Sequence, residues 1–303
     1  MPNVDVQSPD TLIERILAAF PQTDLTNAIV NIDGLDNVAV IGGGRVYRFA
    51  RNRDTQINLV KEIAILELVR SHVSMPVPVF ERVDDDFVTY PFLVGAPLFR
   101  NDILRLPEAD QDGLAEQMAS FLRALHSIPR ETVVAKGIGA SGGRQTQAQW
   151  LTLYEEIQNE LFPLMYRSTQ TWVHQHFAPL LADPHWLDFE AVLIHDDLAQ
   201  YHILYDAAAR RIAGVIDFGT AGLGDPARDY GILINVYGER FVQHMARCDD
   251  RIAPLIDRAR FYGGVLEMQW VLGGLRSKSF DWFTAHLDRA RDVMPYGAGL
   301  RGI

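Results

Sequence analysis

The stretch HDDLAQYHIL at positions 195–204 decides how this sequence is interpreted, together with IDFG at positions 216–219. Each follows an apolar run that is typical of a buried strand. An unpaired charge at the end of a buried strand is costly, so the ionisable side chains there need partners. We expect Asp197, His202 and Asp217 to meet over one divalent metal and one phosphate-bearing ligand, as in a phosphoryl-transfer site.

Each of these residue types suits one task in that chemistry. Asp197 would orient an acceptor hydroxyl and accept its proton as the new bond forms. Asp217 supplies the carboxylate oxygen that Mg²⁺ prefers, and His202 would be a second ligand, although nitrogen is less usual for this cation. His195 is expected to hold backbone or a neighbouring carboxylate in place, and Asp196 to face away from the site.

Each signature is weak by itself. Asp-Phe-Gly occurs by chance, and a lone histidine such as His195 is more often a satisfied core residue. The combined spacing around a hydrophobic hairpin favours a site over coincidence.

Composition bounds the function. The chain has 303 residues, 48% of them hydrophobic, and a net charge of −11, which suits one large domain or two lobes. The acidic balance argues against nucleic-acid binding, which needs a basic surface. It is compatible with a cationic small substrate, although many soluble proteins are acidic.

Cysteine usage and hydropathy indicate the compartment. Cys248 is the only cysteine, which rules out an intrachain disulfide and favours a reducing environment. The first five residues lack the basic start and apolar stretch of a signal peptide, and no run reaches the length of a transmembrane helix. We therefore expect a cytoplasmic protein without a membrane-bound segment.

The hydrophobic pattern predicts an α+β fold with two lobes, an antiparallel-sheet N-lobe over residues 1–92 and a mainly helical C-lobe over 93–303. A connector at 91–97, punctuated by proline and glycine, joins them. The predicted elements are, in order, a helix at 9–20 with Ser8 as N-cap, strands at 28–30, 38–41 and 46–49 separated by turns at 33–37 and 42–44, a helix capped by Thr55, strands at 77–80 and 87–90, helices through 114–125 and 150–161, and helices around 230–246, 251–275 and 280–293.

The motifs resemble those of the aminoglycoside phosphotransferase (antibiotic kinase) family. The resemblance rests on positions 195–204, 214–219 and 224–229 and extends from about residue 27 to about residue 290. That family includes relatives of choline and homoserine kinases, and its fold resembles that of protein kinases, so a two-lobed, protein-kinase-like fold is implied. Most members carry Asn where this chain has His202. Aminoglycoside 2''-phosphotransferases and macrolide phosphotransferases carry His, so the resemblance points to those branches.

The resemblance also implies a nucleotide site. A strand cation, here Arg48 instead of the usual Lys, would meet the α- and β-phosphates and pair with Glu62, unless Glu62 is a surface residue beside an apolar stripe. Pro91 and Leu93 would offer backbone groups to the purine. Tyr90 would be the gatekeeper, resembling that of GTP-preferring members, unless it is merely a core aromatic residue. The donor is therefore ATP or GTP, with Mg²⁺ as cofactor.

Other parts of the pattern have simpler interpretations. The turn at 33–38 resembles the family's loop over the triphosphate, whereas the glycines at 42–44 are expected to form only a hairpin turn. Asp225 is expected to cap a helix that has Pro226 in its first turn. Asp229 is expected to support the site or anchor that helix.

The acceptor is the least defined part of the prediction. The C-terminal helices contain few acidic residues, among them Glu239, Glu267 and Asp281. An apolar cleft with Trp270 and Trp282 would suit a macrolide, unless these residues are simply part of the core. The resemblance favours an aminoglycoside. We expect a kinase for an aminoglycoside hydroxyl, with a kinase for a macrolide or another hydroxylated metabolite, or a catalytically silent binding protein, as alternatives. Its partners would be a nucleoside triphosphate and a small-molecule alcohol, and it would be a monomer or dimer.

Overall fold

An antiparallel sheet dominates the N-terminal part of the computed structural model, which describes residues 8–32 and 37–278. The elements of this part are α1 (Pro9–Ala19), β1 (Ile29–Asn31), β2 (Asn37–Gly42), β3 (Arg45–Ala50), α2 (Arg53–Arg70), β4 (Glu81–Arg82) and β5 (Phe87–Pro91). Within the described residues the sheet has the strand order β1-β2-β3-β5-β4, with all neighbours antiparallel.

Local sequence explains most of these boundaries. The Ser8 side chain accepts the Thr11 N–H at the start of α1, as predicted. Gly43 and Gly44 have φ values of 57° and 73°, which the tight turn between β2 and β3 requires. The cap of α2 was predicted wrongly, because Asn52 is the N-cap and Thr55 is its partner three residues later in a capping box.

The predicted strand at 77–80 is also wrong. Only Glu81–Arg82 pairs with β5, as the short β4. Pro76 and Pro78 remove backbone donors from this segment, and the Pro76 carbonyl accepts the Val215 N–H from the C-terminal part of the chain. The segment therefore ties the two parts together instead of extending the sheet.

The remainder of the described chain is mainly helical, so the α+β class is confirmed. Its elements are β6 (Ala96–Pro97), α3 (Arg100–Arg105), α4 (Glu108–His126), α5 (Arg130–Ala135), α6 (Gln147–Glu156), a π-helical turn (Ile157–Leu161), a 3₁₀ turn (Phe162–Leu164), α7 (Arg167–Ala182), β7 (Val192–Ile194), β8 (Ile203–Asp206), β9 (Arg211–Val215), β10 (Gly222–Gly224), α8 (Ala227–Tyr237), α9 (Glu239–Cys248), a 3₁₀ turn (Ala253–Leu255) and α10 (Ile256–Ser277).

Two short sheets and one large core position the site. Strands β6, β8 and β9 form one sheet, and β10 pairs with β7. Ile65 and Leu66 of α2 belong to the same hydrophobic cluster as Leu122 of α4 and Phe218, so the core continues from one part of the chain into the other. The helix predicted at 230–246 is broken at Gly238, whose φ of 91° ends α8.

Some predictions fall outside the described residues. These are most of the turn at 33–38 and the helix at 280–293, with Asp281 and Trp282. Where the structure describes helices, none is long and apolar enough to cross a membrane.

Candidate active site

The loop after β7 and the end of the β8–β9 hairpin bring Asp197, His202 and Asp217 together. His202 immediately precedes β8 and Asp217 follows β9, and the Ile216 N–H donates to the His202 carbonyl at 2.9 Å. Antiparallel pairing of Ile203 with Val215 therefore places the two side chains at the same end of the hairpin.

The two ring nitrogens of His202 have different partners, which define how the ring is oriented. Its Nδ1 lies 2.8 Å from the backbone carbonyl oxygen of Asp197, which only accepts, so Nδ1 carries the proton. The other nitrogen, Nε2, lies 3.4 Å from Oδ2 of Asp217. This second nitrogen and the Asp217 carboxylate therefore face the same space.

His195 holds backbone in place, as predicted. Its Nδ1 accepts the Asp197 N–H at 3.2 Å, and its Nε2 donates to the Ile216 carbonyl at 3.2 Å. The ring is fully buried, and burial lowers the pKa of His195 to about 4. A neutral imidazole thus bridges the two segments that carry Asp197 and Asp217.

Asp229, in the first turn of α8, supports the same loop. Its carboxylate accepts the backbone N–H groups of His195 and Asp196 at 3.1 and 2.8 Å, and it lies 2.9 Å from Nε2 of His126. Burial acts to raise the pKa of Asp229, but the hydrogen bond from His126 holds it below its usual range. The predicted supporting role of this carboxylate is confirmed.

Asp196 was predicted wrongly to face away from the site. Its buried carboxylate borders the neighbouring cleft, where it pairs with Nε and Nη2 of Arg228 at 2.7 and 2.6 Å and accepts the Gly143 N–H at 3.0 Å. Asp196 and Asp217 have φ values of 65° and 66°, a left-handed conformation that is strained for residues other than glycine. Strained backbone thus lies at both ends of the site.

The carboxylates of Asp197 and Asp217 are both partly exposed. Burial of its surroundings raises the pKa of Asp197 to about 6, with His202 opposing the shift. Burial acts in the same direction on Asp217, but the positive charge of Arg48 holds the pKa of Asp217 below its usual range.

Arg48 on β3 and Glu62 on α2 form a buried ion pair, so the surface alternative for Glu62 is wrong. Nη1 of Arg48 lies 2.9 Å from Oε1 of Glu62, and the same oxygen accepts the Phe218 N–H at 3.2 Å. Although burial opposes it, the charge of Glu62 raises the pKa of Arg48 above its usual range. The pair thus connects the N-terminal sheet to the segment that carries Asp217.

Tyr90, Pro91 and Leu93 lie where β5 ends and the chain enters the connector. Tyr90 is buried, and burial raises its pKa to about 12. Its ring is stacked on that of Phe80, with centroids 5.1 Å apart. Pro91 is exposed and Leu93 is half-buried.

A cleft of about 800 Å³ opens beside Asp197. Asp196 and Asp197 are the carboxylates among its described lining residues, and Arg228 and Arg100 are its cations. The rest of the described lining is mixed, with Phe99, Tyr201, Ile232, Val236, Leu266 and Trp270 as its large apolar or aromatic members and Asn101, Gly142, Gly143, Ala199, Gln200, Thr220 and Asn235 completing it.

The sequence matches a known family profile. The profile described as "Phosphotransferase enzyme family" matches residues 30–264, which is more than half of the chain. The chain belongs to this phosphotransferase family. It is accordingly an enzyme that transfers a phosphoryl group to an alcohol.

Relatives in this family act on antibiotics, as their names state. The viomycin phosphotransferase of Streptomyces vinaceus is 27% identical over 247 residues, which cover 78% of this chain and 82% of the relative. The aminoglycoside 3'-phosphotransferase of Streptomyces fradiae is 25% identical over 63% of this chain and 73% of the relative.

Solved structures give the same fold. The GDP and kanamycin complex of the aminoglycoside phosphotransferase APH(2'')-IIIa has a TM-score of 0.81 at 27% identity, covering 93% of this chain and 97% of the other. Macrolide 2'-phosphotransferase type I has a TM-score of 0.72 at 23% identity, covering 93% and 96%. The predicted kinase-like fold is therefore confirmed.

This phosphotransferase contains site features that the sequence prediction missed. Arg228 and Gly143 support Asp196, and Phe80 contacts Tyr90. The two consecutive glycines at 142–143 were the sequence signal for this close approach. A Cβ on Gly143 would lie 1.8 Å from Nη2 of Arg228, so the position has no room for a side chain.

The side chains of Asp217 and His202 suit a hard cation that also binds oxygen atoms of a ligand. No group of three or more His, Cys, Asp or Glu side chains arranged for a metal occurs within residues 8–32 and 37–278. Mg²⁺ commonly takes one or two protein ligands and completes its shell with water and phosphate oxygens. Asp217 and Nε2 of His202 would supply that number of protein ligands.

Proposed function

We propose that this enzyme transfers the γ-phosphoryl group of ATP or GTP to a hydroxyl of an antibiotic. The observation that carries the proposal is the convergence of Asp197, His202 and Asp217 beside the cleft that Asp197 lines. The buried Arg48–Glu62 pair adjoins them through the Phe218 N–H. Family membership and the named relatives support the reaction class. A nucleoside triphosphate donor suits a cytoplasmic enzyme.

In this proposal Asp197 is the catalytic base. Its carboxylate borders the cleft and would accept a hydrogen bond from the acceptor hydroxyl. It thereby orients the oxygen toward the γ-phosphorus and takes the proton as the oxygen–phosphorus bond forms. Its backbone is held by His195 and, through the carbonyl, by His202, so the carboxylate is pre-oriented.

The charged side chains around Asp217 would bind the donor. Arg48, oriented by Glu62, would meet the α- and β-phosphates. Asp217 and Nε2 of His202 would hold Mg²⁺, which neutralises charge on the phosphates when it is bound. The N–H of Phe218 links Glu62 to this segment, so phosphate binding and the position of Asp217 depend on each other.

The purine would bind where the two lobes meet. We place the boundary between the lobes at residues 92 and 93. Backbone groups of Pro91 and Leu93 would bind the base, with Tyr90 behind it. GDP is bound in the APH(2'')-IIIa complex that resembles this chain, which supports GTP as a donor alongside ATP.

An aminoglycoside is the acceptor that overall similarity favours, because APH(2'')-IIIa was solved with kanamycin. The cleft favours a second candidate, a macrolide or another hydroxylated metabolite. Asp196 is already paired with Arg228, which leaves Asp197 as the carboxylate of the described lining that has no arginine partner. Polycations bind to acidic surfaces, whereas this lining has apolar and aromatic side chains.

A matrix of donors and acceptors tests the function. Purified enzyme with Mg²⁺ is given ATP or GTP together with kanamycin, viomycin or a 14-membered macrolide, and nucleotide consumption and phosphorylated product are measured. Acceptor-dependent consumption with product formation supports the proposal, and the productive pair identifies both substrates. Nucleotide binding without turnover on any acceptor would favour the silent binding protein.

A further inference from the structure

Phe80 contacts two residues of the proposed nucleotide site. The guanidinium carbon of Arg48 lies 5.4 Å from the centroid of the Phe80 ring. The Phe80 and Tyr90 rings are stacked, with centroids 5.1 Å apart and planes inclined by 26°. One half-buried ring therefore joins the phosphate-binding cation to the proposed gatekeeper.

The hydrogen bonding of Arg48 leaves its orientation incompletely determined. Within the described residues, its guanidinium makes one side-chain hydrogen bond, from Nη1 to Oε1 of Glu62. That oxygen is shared with the Phe218 N–H, so this is not a pairing of two guanidinium nitrogens with two carboxylate oxygens. A single hydrogen bond does not by itself fix the guanidinium plane, and the facing aromatic ring restricts it further.

Orientation matters more for arginine than for lysine. An ammonium is a compact charge whose donors rotate freely, whereas the donors of a guanidinium lie in one plane. The plane of Arg48 therefore decides whether Nε and Nη2 reach phosphate oxygens. A lysine at position 48 would not depend on a facing ring in this way.

We propose that Phe80 is a positioning residue for nucleotide binding, whose ring sets the plane of the Arg48 guanidinium so that donors not used by Glu62 meet the phosphates. This role rests on the proposed function, in which Arg48 binds the donor. It makes Arg48 and Phe80 a matched pair, because the benefit of the ring depends on the cation that it faces.

A double-mutant cycle tests the pairing. Affinities for ADP and GDP with Mg²⁺ are measured by calorimetry, and KM and kcat for ATP and GTP by nucleotide turnover. Phe80→Met removes the ring and keeps apolar bulk, and it should weaken nucleotide affinity about 5-fold or more, as expected for a desolvated cation–π contact. KM should rise while kcat changes little. In the Arg48→Lys background the same change should cost less than about 2-fold.

Two further variants at position 80 distinguish a role in positioning Arg48 from a role in packing alone. Phe80→Tyr keeps the ring and should retain wild-type affinity, and Phe80→Leu is a second ring-free variant if Phe80→Met does not fold, as judged by circular dichroism and thermal melting. Equal losses with Arg48 and with Lys at that position, or a loss in Phe80→Tyr as large as in Phe80→Met, would overturn the positioning role. Wild-type enzyme that binds neither nucleotide would overturn the proposed function itself.

Discussion

Nε2 of His202 lies 3.4 Å from Oδ2 of Asp217, on the side of the ring opposite to the protonated Nδ1. The Asp197 carbonyl accepts that hydrogen bond at 2.8 Å, so the backbone of the proposed base turns Nε2 of His202 toward Asp217. This orientation of the ring is the one that the proposed role of His202 beside Asp217 requires. It also gives a direct test of the metal pair.

His202→Ala and Asp217→Ala should each raise the Mg²⁺ concentration needed for half-maximal turnover. Each variant removes one of the two proposed protein ligands, so we expect a shift of about 10-fold or more. The measurement is a Mg²⁺ titration of nucleotide consumption at saturating donor. His185→Ala, which removes an exposed histidine elsewhere, is the matched control. Unchanged titrations in both site variants would exclude this metal pair.

Asp197→Ala should abolish transfer while the enzyme stays folded. General-base catalysis contributes about 10²- to 10⁴-fold, so kcat should fall by at least that range. Binding of ADP or GDP should persist, because Asp197 lies on the acceptor side of the site. The measurement is product formation with calorimetric nucleotide binding. Asp188→Ala, at an exposed aspartate, should keep full activity, and equal turnover in Asp197→Ala would contradict the assignment.

Sequence patterns located the side chains that converge where strands end, and they missed the contacts between residues far apart in the chain. Asp197, His202 and Asp217 follow apolar runs, and Glu62 borders an apolar stripe, so local spacing was sufficient. Asp196 lies within the same loop, but its partner Arg228 is 32 positions away, and no local period encodes that pairing.

The contact between Phe80 and Arg48 also could not be predicted from the local sequence. The apolar segment at 77–80 resembles a strand. Pro76 and Pro78 lack the backbone donors that pairing needs, and the Phe80 ring contacts Arg48 instead. The hydrophobic pattern likewise predicted a sheet-rich part followed by a helix-rich part, but not the cap of α2, because both Asn52 and Thr55 are residue types that occur at N-caps.

Asp196 gives a test of backbone strain. Asp196→Ala should lower the free energy of unfolding by about 3 kcal/mol, because it leaves the partly buried Arg228 without its carboxylate. Asp196→Gly loses the same contacts but tolerates a φ of 65°, so it should be about 1 kcal/mol more stable than the alanine variant. Urea denaturation measures both. Equal stabilities would show that the left-handed conformation costs nothing.

Gly143→Ala should disturb the same ion pair from the other side. The new Cβ would lie 1.8 Å from Nη2 of Arg228 and 2.9 Å from Oδ2 of Asp196, so the guanidinium must move. We expect a loss of about 2 kcal/mol in the free energy of unfolding and a raised KM for the acceptor, because both residues border the cleft. Gly142→Ala is the matched control, since its nearest contacts are 3.5 Å away. Similar behaviour of the two variants would argue against a required glycine at 143.

His195 should make stability depend on pH. Burial lowers its pKa to about 4 in the folded protein, against about 6.5 when the chain is unfolded. Between these values the unfolded state binds more protons, so stability is complete above pH 6.5 and falls as the pH drops toward 4, by up to about 3 kcal/mol. Urea denaturation across this range should show a weaker pH dependence in His195→Asn than in wild type, whereas His185→Asn should keep the wild-type slope. A His195→Asn slope equal to that of wild type would mean that the imidazole gains its proton as readily in the folded protein as in the unfolded chain.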